Sequence, residues 1–360
     1  MKKILFGITS LSYGGAERVL IDIVNKLKDE YDITVFSLYK GQLESQLDSN
    51  VKLVRVYDKS YNELTKLEKI NMSITLSSRL LSRRLLAKYL DNEYDRVIAF
   101  LEGPITWLFD KFKINKIVWV HNDISKVFNK GIRTKLKQLR NKKSYKRYNK
   151  IIFVSKDNMN NFNSLFKINK EQKVIYNYID KVRILEKCKE KVEKIDKDCP
   201  ILLSVCRLTK QKGIDRLVKC HKKIIEEGFY HKMYIVGTGE EEKTIKELIK
   251  TLQVEDTFIL LGAKANPYPY INMCDCFMLM SHYEGYPMTL LEAKILNKKI
   301  IITNTASREA LIDYPNVTIV ENNDISIIDG IKSILKENKA LKQYTFNNED
   351  ILEEIKEVIK

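Results

Sequence analysis

The residues with the most chemical promise lie in Ser281–Ala293, SHYEGYPMTLLEA. Two carboxylates, Glu284 and Glu292, flank a Gly-Tyr-Pro turn at an E-x7-E spacing. Carboxylates accept hydrogen bonds from hydroxyls, so such a pair suits a molecule with a sugar at each end and phosphate between. The turn itself serves the phosphate. Pro287 fits the first position of a helix, where its missing N–H is not needed. The helix expected from MTLLEAKIL then presents unpaired N–H groups and the positive end of a dipole. Gly285 carries no side chain to hold a ligand off the backbone. Two glutamates eight apart are commonly a coincidence; the whole string, set between a strand and a helix, is far less so.

A second set of candidates is Arg207 and Lys212 in SVCRLTKQKG, with Gly213 between them and the next helical pattern. A guanidinium and an ammonium on one turn suit a diphosphate, although surface charges of this kind are ordinary. Gly14 and Gly15 in SLSYGGAER open a helix after the first strand; the signal is weak, and it is not the G-x-G-x-x-G of nicotinamide dinucleotide sites. His121 and Asn122 follow the apolar run KIVWV, and Glu102 follows DRVIAFL just before Gly103-Pro104. Both places are strand ends, the edge of an open parallel sheet where ligands bind. His121 is either a ligand contact or a satisfied polar residue at a strand tip. Glu102 is either part of a site or a cap.

The elements that must position these residues alternate. KKILFGIT, YDITVFSLY, VKLVRVY, DRVIAFL, NKIVWVHN, KIIFVS and KVIYNY read as strands, several separated by helical patterns. After a charged stretch the series resumes with ILLSV, KMYIVG, TFILLGA, CDCFMLM, KKIIITN and NVTIVE. Strands alternating with helices predict α/β architecture with doubly wound parallel sheets. The expected organisation is a first domain over 1–182, a linker over 183–199 and a second domain over 200–340. A last helix over 341–360 is expected to pack back on the first domain.

A chain of 360 residues has room for two cores, and 44% apolar with 31% charged residues describes a globular protein. Six cysteines without regular spacing argue against a disulfide framework and suit a reducing compartment. Cys274 and Cys276 fall on one face of an expected strand, with no second pair to complete a zinc set. No signal-peptide pattern precedes the first strand and no apolar run reaches spanning length. The charge is lopsided. Residues 1–180 carry 34 Lys and Arg against 19 Asp and Glu, and residues 181–360 carry 29 against 28. Two segments concentrate it: Tyr61–Leu90, containing RLLSRRLLAKYL, and Ile124–Lys150, with eleven basic residues, no acid, and Phe128, Ile132, Leu136 and Leu139 interleaved. Each is either a basic amphipathic element lying on an anionic membrane or a helix packed on the sheet with a solvated basic face. No RNA-binding signature or zinc-finger spacing supports a nucleic-acid partner.

Taken together, GGAER, a histidine after an apolar strand, SVCRLTKQKG, YIVGTGEE and EGYPMTLLE closely resemble glycosyltransferase family 4, over nearly the whole chain and most strongly over Ile201–Ala293. The resemblance implies the GT-B fold, two Rossmann-like domains facing a central cleft. It also implies retaining transfer from a nucleotide sugar, usually a UDP-sugar, with no metal and no cofactor. Arg207 and Lys212 would hold the diphosphate, and Glu292 the ribose hydroxyls. Glu284 would read the donor sugar, aided by backbone N–H groups of Gly285, Tyr286, Met288 and Thr289. Gly14 and Gly15 would approach the donor from the first domain, with His121 beside the anomeric centre or the sugar hydroxyls. Uracil would lie against Gly262, Ala263 and Lys264, and Glu102 and Asn122 are acceptor-side candidates. Two stretches depart from the family pattern: YNYID, Tyr176–Asp180, has tyrosine where proline is often found, and TNTASREAL replaces a glycine-rich turn.

The acceptor expected is a lipid-linked saccharide for capsular or other cell-surface polysaccharide, on the cytoplasmic face of the plasma membrane. A UDP-sugar epimerase of the same fold and a non-catalytic polyanion-binding protein are the alternatives.

Overall fold

The computed structural model describes all residues except 92, 128–131, 193, 194, 196, 197, 338 and 339. The chain divides into two compact units, Met1–Ile179 with Asn348–Lys360, and Asp180–Asn347.

The first unit holds a seven-stranded sheet. Its strands are β1 (Lys3–Ser10), β2 (Asp32–Tyr39), β3 (Lys52–Tyr57), β4 (Arg96–Ala99), β5 (Lys116–Val120), β6 (Lys150–Phe153) and β7 (Glu171–Val174), in the order β3-β2-β1-β4-β5-β6-β7. Every pairing is parallel. The central strands are buried on both faces, which explains their unbroken apolar runs: Phe6, Phe36, Trp119 and Phe153 are all buried. The order reverses between β1 and β4, so the loops after these two strands diverge and leave a crevice at the carboxyl edge.

Residues 61–90 hold a 3-10 turn, Tyr61–Glu63, and two α-helices, Lys66–Ser77 and Arg79–Tyr89. They are divided at Ser78, whose side chain accepts the Leu81 N–H. Met72, Leu76 and Leu86 point inward, so these helices do pack on the unit. In the other basic segment the helices are Ile124–Val127 and Ile132–Tyr145. Phe128 lies outside the described residues, and of Ile132 only the backbone is described. Helix Glu349–Ile359 completes the first unit, burying Leu352, Ile355, Val358 and Ile359. Lys356 pairs with Glu30 at 2.7 Å and Lys173 with Glu354 at 3.1 Å.

The second unit holds β8 (Ile201–Val205), β9 (Lys232–Val236), β10 (Phe258–Gly262), β11 (Cys276–Leu279), β12 (Lys299–Thr303) and β13 (Val317–Val320), ordered β10-β9-β8-β11-β12-β13 and again all parallel. Its reversal falls between β8 and β11. Helix Lys181–Lys187 belongs to this unit, so the stretch 183–199 opens within a helix. Cys274 caps helix Tyr268–Met273 and only Cys276 is on β11, which corrects the strand expected from Cys274; both thiols are buried.

Helix Ile214–Glu226 leaves the carboxyl edge of β8 and is moored along its length. His231 Nδ1–H donates to the Phe229 carbonyl at 2.9 Å, which can only accept. His231 Nε2 must then accept from His221 Nδ1–H, and His221 Nε2 from the Thr257 hydroxyl, each at 2.9 Å. Burial pushes His221 down to about 3 and lowers His231, so both imidazoles are neutral and the whole chain of bonds is satisfied.

Candidate functional site

The two loops at the reversal of the second sheet meet. After β8 the chain runs through Cys206 and Arg207 to a single 3-10 turn, Lys210–Lys212, and then Gly213. Gly213 has φ of +62°, and a Cβ there would stand 2.8 Å from the Met280 carbonyl at the end of β11. Only glycine allows both the backbone turn and this approach. The turn is held from behind by the glycine loop after β9: Leu208 N–H donates to Thr238 O at 3.0 Å, and Gly237 and Gly239 leave room for the Cys206 and Leu208 carbonyls.

The loop after β11 is fixed carbonyl by carbonyl. Met280 O accepts from Arg216 Nη2 at 2.7 Å, and Ser281 O from the Thr303 hydroxyl at 2.6 Å. His282 O accepts from Asn322 Nδ2 and Tyr283 O from Gln211 Nε2, both at 2.9 Å. Four successive carbonyls are thus consumed by four separate elements. Arg216 is itself steadied by Asn322 Oδ1 at 2.8 Å. None of these donors is apparent from local sequence.

Onto this rigid loop come the charged groups. Lys212 Nζ lies 2.5 Å from Glu284 Oε1, and the Ser281 hydroxyl donates to the same oxygen at 2.5 Å. Arg207 is exposed on the β8 loop. Pro287 is extended, with ψ of 126°, and caps the helix Met288–Ile295 without being part of it, which corrects its expected place as first helical residue. The first N–H groups of that helix, from Met288 and Thr289, have no acceptor within it. Gly285 and Tyr286 lead into it, and Glu292 is buried on the same helix. Gly262 ends β10 with φ of +71° and its carbonyl accepts the Gly237 N–H at 2.9 Å. Ala263 follows, exposed, and Lys264 Nζ sits over the Tyr270 ring at 5.6 Å. Burial raises the Cys206 thiol to about 11, so it stays protonated beside Lys212.

In the first unit Gly14 caps helix Gly15–Leu27 after β1, and the Glu17 side chain folds back into the space beside it. Glu102 follows β4. Its Oε2 accepts the His121 N–H at 3.1 Å and its Oε1 the Asn122 N–H at 2.7 Å. Burial raises this carboxyl, and the two N–H groups partly offset the rise. Glu102 thereby ties the backbone that follows β5. His121 packs its ring on Phe100 at 4.7 Å, and Asn158 Nδ2 donates to its carbonyl at 3.3 Å. Burial lowers His121 to about 3. Its Nε2 is buried without a partner among the described residues, so it is not the satisfied strand-tip residue of the blander reading.

A family model described as Glycosyltransferase Family 4 matches residues 13–183, and one described as Glycosyl transferases group 1 matches residues 186–350. An uncharacterized glycosyltransferase of Methanocaldococcus jannaschii is 30% identical over 308 residues, covering 79% of this chain and 74% of that protein. The chain belongs to glycosyltransferase family 4. This family 4 glycosyltransferase is also 26% identical, over 96% of its length and 93% of the relative's, to the N-acetylgalactosamine-N,N'-diacetylbacillosaminyl-diphospho-undecaprenol 4-alpha-N-acetylgalactosaminyltransferase of Campylobacter jejuni. Its fold is that of Anabaena Alr3699/HepE, solved in complex with UDP and glucose. The TM-score is 0.73 at 17% identity, with 94% of this chain and 90% of that one covered. The GT-B fold, two Rossmann-like parallel-sheet units, is therefore that of the chain.

Proposed function

We propose that this glycosyltransferase moves a hexose or N-acetylhexosamine from a UDP-sugar to a lipid-linked saccharide, with retention, in capsular or other cell-surface polysaccharide synthesis. The observation that carries the reading is the meeting of Lys212, Glu284 and an unpaired helix start at the reversal of the second sheet. As the bond from the anomeric carbon to phosphate breaks, the diphosphate gains negative charge. Arg207, Lys212 and the N–H groups of Met288 and Thr289 stabilise that charge where a metal ion does so in other sites. Gly285 and Tyr286 add backbone donors, and Gly262, Ala263 and Lys264 border the uracil. Glu284 reads the sugar and Glu292 the ribose. The acceptor hydroxyl attacks from the face the diphosphate leaves, and its proton passes to a phosphate oxygen. His121, neutral, offers its unpaired Nε2 to the sugar, with Gly14, Gly15 and Asn122 lining the same edge of the first unit.

The acceptor class is supported by the diphospho-undecaprenol in the name of the Campylobacter relative. A surface of the first unit supports a membrane partner. Leu67, Ile70 and Ile74 form one stripe on helix Lys66–Ser77, each more than half exposed, and Leu80, Leu136 and Leu139 are exposed on neighbouring helices. Arg140 donates to Leu76 O at 2.7 Å, joining helix Ile132–Tyr145 to the stripe's helix. Lys66, Arg79, Arg83 and Arg84 are exposed on the same two helices, Lys66–Ser77 and Arg79–Tyr89. Apolar side chains set among cations suit an anionic lipid surface, here the inner face of the plasma membrane. Among the described residues no helix is long and apolar enough to cross a membrane.

A thermal-shift screen of nucleotide sugars identifies the donor. Turnover is then followed with a polyprenyl-diphosphate saccharide and the anomeric configuration of the product read by NMR, with and without EDTA. Indifference to every nucleotide sugar overturns the reading. Epimerised donor in the absence of acceptor replaces it with an isomerase.

A further inference from the structure

The ion pair at the centre of the second unit carries a consequence that rests on reading this loop as a nucleotide-sugar site. Lys212 and Glu284 keep only 14% and 6% of their side-chain surface. Water and salt screen such a pair poorly, and separating it without replacement is costly. Lys212 is therefore not a waiting cation. While Glu284 holds it, its charge is largely spent, and an arriving diphosphate also meets the carboxylate. The peptide chain cannot relieve this by shifting, because Gln211, Arg216, Thr303 and Asn322 tie the four carbonyls before Glu284.

We infer that Glu284 is the resident counterion of Lys212 and thereby sets the preference of the site for a loaded donor over the spent nucleotide. A nucleotide sugar brings both replacements at once. Its hydroxyls donate to Glu284 in place of the ammonium, and its phosphates accept from Lys212 in place of the carboxylate. The bare nucleoside diphosphate brings only the second. Glu284 then has no hydroxyl to turn to, recaptures Lys212, and the nucleotide loses its cation. The same carboxylate that reads the sugar thus ejects the product once the sugar has gone. Ser281, whose hydroxyl already binds the contested oxygen, keeps the carboxylate in reach of both partners.

Calorimetric titration of the full chain with UDP, and with the donor found by the screen, tests this. Glu284→Gln removes the charge and keeps the size. It is expected to bind UDP on the order of tenfold tighter than the wild type, the scale of close charge pairs in mutant cycles, while its turnover falls. In a Lys212→Ala background the same change leaves UDP affinity within about twofold, because the coupling has been removed. Glu284→Asp, which keeps the charge but draws it back by one methylene, is expected to tighten UDP to a lesser degree and guards against a Gln variant that does not fold. UDP affinity unchanged or weakened in a folded Glu284→Gln overturns the counterion role and leaves the site reading standing. A wild type that binds no nucleoside diphosphate overturns both.

Discussion

The two units present their binding edges in opposite electrical senses. After β11 the protein consumes carbonyls: four in succession accept from Arg216, Thr303, Asn322 and Gln211. After β5 it ties chiefly N–H groups, those of His121 and Asn122, with the single carboxylate of Glu102, while the His121 carbonyl accepts from Asn158 Nδ2. Every peptide carries one donor and one acceptor, so whichever half is tied behind leaves the other in front. In the second unit the His282 N–H is also tied, to Gln211 O at 2.8 Å, but the exposed Arg207 and the helix-start N–H groups of Met288 and Thr289 still favour an anion. The first is left with a neutral imidazole and backbone held still by an acid. The same kind of strand reversal thus carries an edge that favours an anion in one unit and a buried neutral imidazole in the other.

The largest expected effect lies in the second unit. Lys212→Ala should lower turnover on the order of 100-fold, comparable to losing one oxyanion donor, and should also lower the melting temperature, because it leaves the buried Glu284 unpaired. A turnover loss accounted for entirely by the unfolded fraction at the assay temperature would mean that the pair serves only the fold. Next come the two clamps, compared directly. Glu102→Ala strands two N–H groups and Arg216→Met strands the Met280 carbonyl, each costing about 1–3 kcal/mol per buried group left unmet. Urea unfolding checks both. Donor binding, read by calorimetry, should weaken more in Arg216→Met than in Glu102→Ala, which loosens only the backbone that carries His121.

A smaller effect follows from the histidines. Burial depresses His221 to about 3 and lowers His231, so the unfolded chain binds their protons first. Stability contributed by the neutral pair is complete above the unfolded value of ~6.5 and falls as pH drops through the window toward the folded values. For His221 the slope between those values is about 1.4 kcal/mol per pH unit, and His231 adds to it in the same direction. Urea midpoints between pH 7 and 5 should fall, less steeply in His231→Gln. The smallest effect belongs to the first unit's surface. Replacing Leu67, Ile70 and Ile74 together by serine should weaken sedimentation with acidic vesicles roughly fivefold, with donor affinity unaltered. Equal binding to neutral and acidic vesicles by the wild type would remove the membrane surface from the comparison.

Much of this was legible from residue types. Doubly buried strands write themselves as apolar runs, and Lys212 and Glu284 stand out because each lies in a glycine-bearing turn between a strand and a helix. The clamps were not legible. Their donors lie 64, 22, 40 and 72 positions from the carbonyls they hold, and nothing local marks Arg216, Thr303, Asn322 or Gln211 for that task. Pro287 precedes the helix rather than opening it, since proline fixes φ but leaves ψ free to stay extended. That Glu102 meets the His121 and Asn122 N–H groups is set by the tertiary fold and by no local pattern.

The return of residues 348–360 to the first unit also orders events in time. Asn348 Nδ2 donates to Ile179 O at 2.8 Å, and the Lys356–Glu30 pair rivets the last helix beside sequence made hundreds of residues earlier. On the ribosome, the intervening unit is fully synthesised while its predecessor still lacks a helix. Leu352, Ile355 and Val358 are the missing cover, and until they emerge the surface they bury remains open to solvent and to chaperones.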